Sequence, residues 1–285
     1  MADEEPTRRP AGGSTGGRDV RSAAVPRWAW LVVLSAGLVL FLAVERTLVA
    51  TANPNFVPAT ILLGALLGPV TFVTYVYGRG AAWTVSLSVL GLVALFGGVF
   101  GTVLAGLLEY DTLRQLGVVP TLIVGLIEES AKLAVPLAVL LLTRYRSPAD
   151  GLVVGVTVGM AFAALETMGY GFVTFLRSGG NVGALEDVLL LRGLISPAGH
   201  AAWTGLASTA LFRAWSSRGR GHTGAAFAGT FLLVVVLHGL WDGLGSLVGH
   251  AVIALVSLGL LRREIRRSLL ADMTPAGGRG RGHGG

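Results

Sequence analysis

The chain has 285 residues, of which 53% are hydrophobic and only 13% charged, with a mean hydropathy of +0.70. A soluble domain averages about 25% charged residues, so most of this surface does not face water, and a single helical membrane bundle is expected in place of one or two soluble domains. The absence of cysteine excludes disulfides, thiolate metal sites and a cysteine nucleophile, and the net charge of +6, which could suit nucleic acid, has a better explanation in where the arginines fall.

In chain order, the first 27 residues are a Gly-, Pro- and Arg-rich segment that reads as a disordered tail. Eight apolar spans follow, at about 28–44, 56–77, 83–108, 118–142, 152–176, 195–215, 225–244 and 247–261. Residues 262–285 form a second basic tail of the same kind. Ala50-Thr51-Ala52 resembles a signal-peptidase site. The long leader and long apolar stretch favour an uncleaved first helix.

With the N-terminus inside, only Arg46, Arg114, Arg177 and Arg192 fall outside, and every other arginine falls on the inner side or in the tails. This bias predicts that both termini are cytoplasmic. It also accounts for the high pI without nucleic acid, which is not an expected partner. The Arg, Ala and Gly usage suits a GC-rich bacterial genome, so the expected location is a bacterial plasma membrane, crossed many times.

Small residues recur every fourth position at Gly151, Gly155 and Gly159, at Gly64 and Gly68, and at Gly239 and Gly243. Such spacing lets helix backbones approach closely, and packing is the expected role.

The spans also carry charge. Glu128, Glu129 and Lys132 sit in the fourth, Glu166 in the fifth, His200 in the sixth, and His238 with Asp242 in the seventh. A charged group at the bilayer centre costs about 2.5–3.5 kcal/mol on the insertion scale, so such groups mark function by default. Glu128 and Lys132, one turn apart, could neutralise each other. That does not explain a second adjacent glutamate, a third on another helix and two histidines. With the orientation set by the arginines, all these residues lie within roughly 5–15 Å of the outer boundary.

Spacing suggests the chemistry. His238 and Asp242 are four apart and share one helix face. Such a pair suits two metal ligands, or a ligand and its orienting carboxylate. Glu166, His200 and His238 could supply three ligands to a divalent ion, Zn2+ first, with water in the fourth position. Glu128 or Glu129 would then act as general base on that water. His222, His250 and His283 receive no role.

These residues resemble the PrsW family of bacterial membrane proteases, which are related to the type II CAAX prenyl endopeptidases. The family pattern is E-E-x-x-K, F-x-x-x-E and H-x-x-x-D in separate membrane helices. Here it reads Glu128, Glu129, Lys132; Phe162, Glu166; and His238, Asp242, in that order. The segment Ser196–His200 looks like the family's additional histidine stretch. The resemblance covers about residues 118–245. It departs at Thr167, where the family often has asparagine.

The resemblance implies a membrane metalloendopeptidase acting on a membrane-anchored protein, of which an anti-sigma factor is the best-known family substrate. No H-E-x-x-H, G-x-S-G or G-x-G-D motif is present, which disfavours the zinc site-2, rhomboid and presenilin types. In this reading Glu128 or Glu129 activates water, Lys132 holds a glutamate ionised, and Glu166, His238, His200 and Asp242 form or orient the metal site. The alternative is a proton-coupled transporter using the same Glu/Lys/His cluster, which predicts broken helices at the midplane and an inverted repeat.

Overall fold

The structure, a computed structural model, describes residues 25–80, 83–117, 120–217 and 222–273. Among these there is no strand. Nine helices follow in order: α1 (Ala29–Thr51), α2 (Val57–Tyr77), α3 (Leu87–Leu116), α4 (Thr121–Leu142), α5 (Pro148–Arg177), α6 (Val182–Ile195), α7 (His200–Ser216), α8 (Thr223–Gly243) and α9 (Leu247–Met273). Five of them, α1, α2 with its leading turn, α3, α5 and α8, are long and apolar enough to cross a membrane by length and composition. The chain is therefore a polytopic helical bundle, as composition predicts.

The helix ends follow local chemistry. Ser86 accepts from the Val89 amide at the start of α3, and Asn181 accepts from the Ala184 amide at the start of α6. Ser147 and Asp150 form a capping box ahead of α5, with Pro148 in the first turn. Gly117 ends α3 at φ 70°, a left-handed conformation that glycine adopts without a Cβ penalty.

α5 is the axis of the bundle. It packs most extensively against α7 and also meets α2, α3, α4 and α6. Its Leu152, Val154, Val156 and Met160 are fully buried. The outer helices instead expose large apolar side chains, among them Val39, Phe96, Leu142 and Leu232. Such a surface is suited to lipid, since helices satisfy their own backbone and can present apolar groups to hydrocarbon.

Two sequence expectations change. The connection between the fifth and sixth spans was read as a loop, but it contains α6. Its 14 residues reach about 21 Å, too short to span, and Glu186, Asp187 and Arg192 break its apolar run. It holds its place because Leu185 and Leu189 are buried against α2 and α5. A 3-10 turn at Ser196–Ala198 then leads into α7, so the helix expected as the sixth span begins at His200 and not at residue 195. α9 also runs past residue 261, where a disordered tail was expected to begin. There Arg213 donates to Glu264 at 2.6 Å and Arg267 donates to it at 2.8 Å. Burial alone would raise the Glu264 carboxyl, but the two guanidiniums hold it below the usual glutamate range. Residues 1–24 and 274–285 of the expected tails, with Arg218 and Arg220, lie outside the described residues.

Candidate active site

The charged residues of the spans meet at one end of the bundle. Glu128, Glu129 and Lys132 come from the middle of α4, Glu166 from the second half of α5, His200 from the first residue of α7, and His238 and Asp242 from the last turns of α8. Five of them, Glu128, Glu166, His200, His238 and Asp242, line a cavity of about 470 Å³.

Lys132 is the hub. Residues three and four apart share a helix face, so both glutamates reach its ammonium. Nζ lies 2.9 Å from Glu128 Oε2 and 2.8 Å from Glu129 Oε1. Its third neighbour is His200 Nδ1, at 2.8 Å. An ammonium has three donors and no acceptor, so all three are engaged. Nδ1 of His200 is then the accepting nitrogen, and Nε2 faces Glu166 Oε2 at 3.0 Å. The Phe162 ring lies 4.1 Å from Nζ, which gives the phenylalanine of the second motif a role as a cation–π floor.

Glu129 is the second hub. It is fully buried. Its Oε1 lies 2.9 Å from His238 Nδ1, and its Oε2 accepts from Thr204 Oγ1 at 3.2 Å. A carboxylate only accepts, so Nδ1 of His238 carries a proton, and Nε2 is left facing two further carboxylates. That nitrogen lies 3.4 Å from Asp242 Oδ2 and 3.6 Å from Glu128 Oε2. Trp203 stacks on the His238 ring with centroids 4.7 Å apart, and its indole donates to Ser257 Oγ at 3.0 Å. Ring orientation is thus fixed from two sides.

The seven residues singled out in the sequence therefore form one network. Hydrogen bonds link the expected glutamate pair to the expected ligand set: Lys132 is joined to His200, and Glu129 to His238. Glu128, Glu166, His200, His238 and Asp242 line the cavity, while Glu129 and Lys132 are sealed behind its wall.

Sequence reasoning missed two charged wall residues. Arg192, counted as a loop arginine, reaches in from α6. Its NH2 group lies 2.9 Å from Glu166 Oε2, its Nε donates to Thr167 Oγ1 at 3.1 Å, and its guanidinium covers Tyr170 at 4.1 Å. Thr167, where the family often has asparagine, thus holds the arginine that faces Glu166. Glu109, on α3, also lines the cavity. It lies one residue beyond the expected end of the third span, so the intramembrane search passed it by.

The site can be tested for a divalent ion. Glu166 Oε2 is close to Arg192 and His200 but has no aligned hydrogen-bond donor. The His238 ring has its Nδ1 on the Glu129 carboxylate, the arrangement that orients a metal-binding histidine. Ligands around a tetrahedral zinc at about 2.0–2.1 Å stand about 3.3 Å apart. Within each pair the donors stand at comparable separations, His200 Nε2–Glu166 Oε2 at 3.0 Å and His238 Nε2–Asp242 Oδ2 at 3.4 Å. Among the described residues, no three His, Asp or Glu converge on one point as a ready-formed site. The donor types, two imidazoles and two carboxylates on the cavity wall, suit a divalent ion.

Close backbone packing sets the position of His200. Gly155 and Gly159 of α5 face the backbone of α7, where a Cβ on Gly159 would overlap the His200 carbonyl. This bears out packing as the role of the four-residue glycine spacing here. Gly159→Ala is expected to destabilise the protein by about 1–3 kcal/mol and to lower activity by shifting His200. Thermal denaturation together with a peptide-cleavage assay checks this, and an unchanged melting temperature would contradict the packing argument.

No curated protein and no solved structure matches the chain. The model of the PrsW family intramembrane metalloproteases matches residues 75–261, reaching back past the motif-bearing helices to include all of α3. With these motifs joined in one buried network and the match covering most of the chain, the protein belongs to the PrsW family and is a membrane protease.

Proposed function

We propose that the protein is an endopeptidase that cuts a membrane-anchored protein substrate by glutamate-activated water, with Glu128 as the base. The observation that carries this assignment is the unequal exposure of the two glutamates. Glu128 lines the cavity, whereas Glu129 is enclosed by Lys132, His238 and Thr204. A base must reach its water within hydrogen-bond distance, and only Glu128 faces the space where water and a peptide can meet.

In the proposed step, Glu128 takes one proton from water as the oxygen attacks the scissile carbonyl, and the same carboxyl returns that proton to the leaving amine. Glu129 acts on His238 and not on the substrate, by fixing which ring nitrogen faces the cavity. His200 Nε2, which carries that ring's proton and rests against Glu166, is the imidazole donor that would turn to the developing negative charge. Glu166, His238 and Asp242 would hold a divalent ion, zinc first, with His200 joining them once its Nε2 gives up its proton. When bound, the ion supplies Lewis-acid polarisation of the carbonyl.

The arginine bias supports a site near the outer face of a bacterial plasma membrane with both termini inside. An anti-sigma factor is the substrate class that the family resemblance offers. Family membership favours this reading over the proton-coupled transporter. The Glu128→Gln assay set out in the Discussion tests it.

The metal is tested separately. Purified protein is expected to carry about one divalent ion per chain by elemental analysis, and His238→Ala is expected to lose most of it. A metal-free protein that cleaves its substrate at full rate would remove the ion and leave His200 as the electrophile.

A further inference from the structure

Glu109 is absent from the three motifs and has no part in the proposed mechanism, yet it stands in the wall of the cavity. It is half-buried, and its Oε1 is shielded from solvent without any hydrogen-bond partner. Every other carboxylate of the site has a cationic or imidazole neighbour within 3.6 Å: Glu128 and Glu129 have Lys132, Glu166 has Arg192 and His200, and Asp242 has His238. Glu109 has none among the described residues.

The charge of the whole cluster points the same way. The five carboxylates Glu109, Glu128, Glu129, Glu166 and Asp242 face the cations Lys132 and Arg192 and the rings His200 and His238. Carboxylates outnumber the two fixed cations, and a buried charge without a partner is costly. Glu109 is the one with no cation or imidazole in contact among the described residues.

The surrounding wall has room for the missing cation. Thr102, Ala105, Gly106 and Glu109 all line the cavity from α3, at the three- and four-residue spacing of one helix face. Thr102 Oγ1 is likewise buried without a partner. Between the two orphaned oxygens, a side chain added at Gly106 would meet nothing within 4 Å. The face is thus an open polar strip with unused acceptors at both ends.

We infer that this α3 face is a subsite for a basic side chain of the substrate, a lysine or arginine close to the scissile bond, with Glu109 as its counter-charge and Thr102 as a further acceptor. The inference rests on the protease reading and adds a substrate class to it. Arg192 does not compete for the site, because Glu166, Thr167 and Tyr170 already hold it.

The test uses the purified full chain and a set of single-span peptides that differ only in carrying lysine, norleucine or glutamate at each position flanking the cut. Cleavage is read as kcat/KM. Binding of N-methylated, uncleavable versions is read from tryptophan fluorescence, since Trp203 and Trp241 line the cavity. Lysine is expected to be preferred over norleucine by about tenfold at one position, in both readouts. In Glu109→Gln that ratio is expected to fall to about one. Absence of a preference in the wild-type chain, or its survival in Glu109→Gln, would overturn the subsite. Failure of the protease reading has a different signature. Cleavage would then be absent or indifferent to Glu128→Gln, while the binding ratio still reports on Glu109.

Discussion

Replacing Glu128 by glutamine is expected to lower kcat for cleavage of a single-span peptide by about 10²–10⁴-fold, the range supplied by a positioned general base. The amide has nearly the same shape and can still accept from Lys132, so the melting temperature should shift little. Glu129→Gln is expected to behave differently. That side chain is fully buried and contacts Lys132, His238 and Thr204 at once. Neutralising it leaves the ammonium with one carboxylate and frees the His238 ring, so stability and activity should fall together. The decisive comparison is the ratio of lost activity to lost stability in the two variants. If Glu128→Gln cleaves at the wild-type rate, the base is misassigned.

Lys132→Met is expected to be the most destabilising single change in the site. Lys132 is fully buried, and its removal leaves Glu128 and Glu129 facing each other with no cation between them. Breaking a buried ion pair on one side costs about 3–5 kcal/mol, because the remaining charge is uncompensated. Replacing both partners by neutral groups of similar size is often close to neutral. The double variant Glu129→Gln/Lys132→Met is therefore expected to recover more than half of the stability lost in Lys132→Met, without recovering cleavage. Denaturation of the two singles and the double closes the cycle. Simple additivity of the two losses would mean that the 2.8 Å contact carries no coupling.

Composition and apolar run length determined the class of fold, because a chain with so little charge and such long apolar runs has few other solutions. Local spacing determined that Glu128, Glu129 and Lys132 share a helix face, and that His238 and Asp242 do, since three- and four-residue separations are fixed by helix geometry. The same reasoning found all seven residues of the network, because charge inside a span is costly enough to stand out.

What decided the chemistry was not local. His200 meets Lys132 from 68 positions away, and His238 meets Glu129 from 109 away. No helical period reports such contacts. The first depends on α5 lying close enough to α7, over Gly155 and Gly159, to bring His200 against the α4 face, and the second on α4 meeting α8 closely at Gly125 and Gly239. α6 was hidden because a short helix with three charges has no membrane signature, and its Arg192 was therefore read as a loop arginine. Glu109 was hidden by a span boundary one residue too early. The buried charge was thus written in the sequence, but which glutamate faces the substrate space was decided by the packing of helices distant in the chain. Only that packing closes a wall over Glu129 and leaves Glu128 open to the cavity.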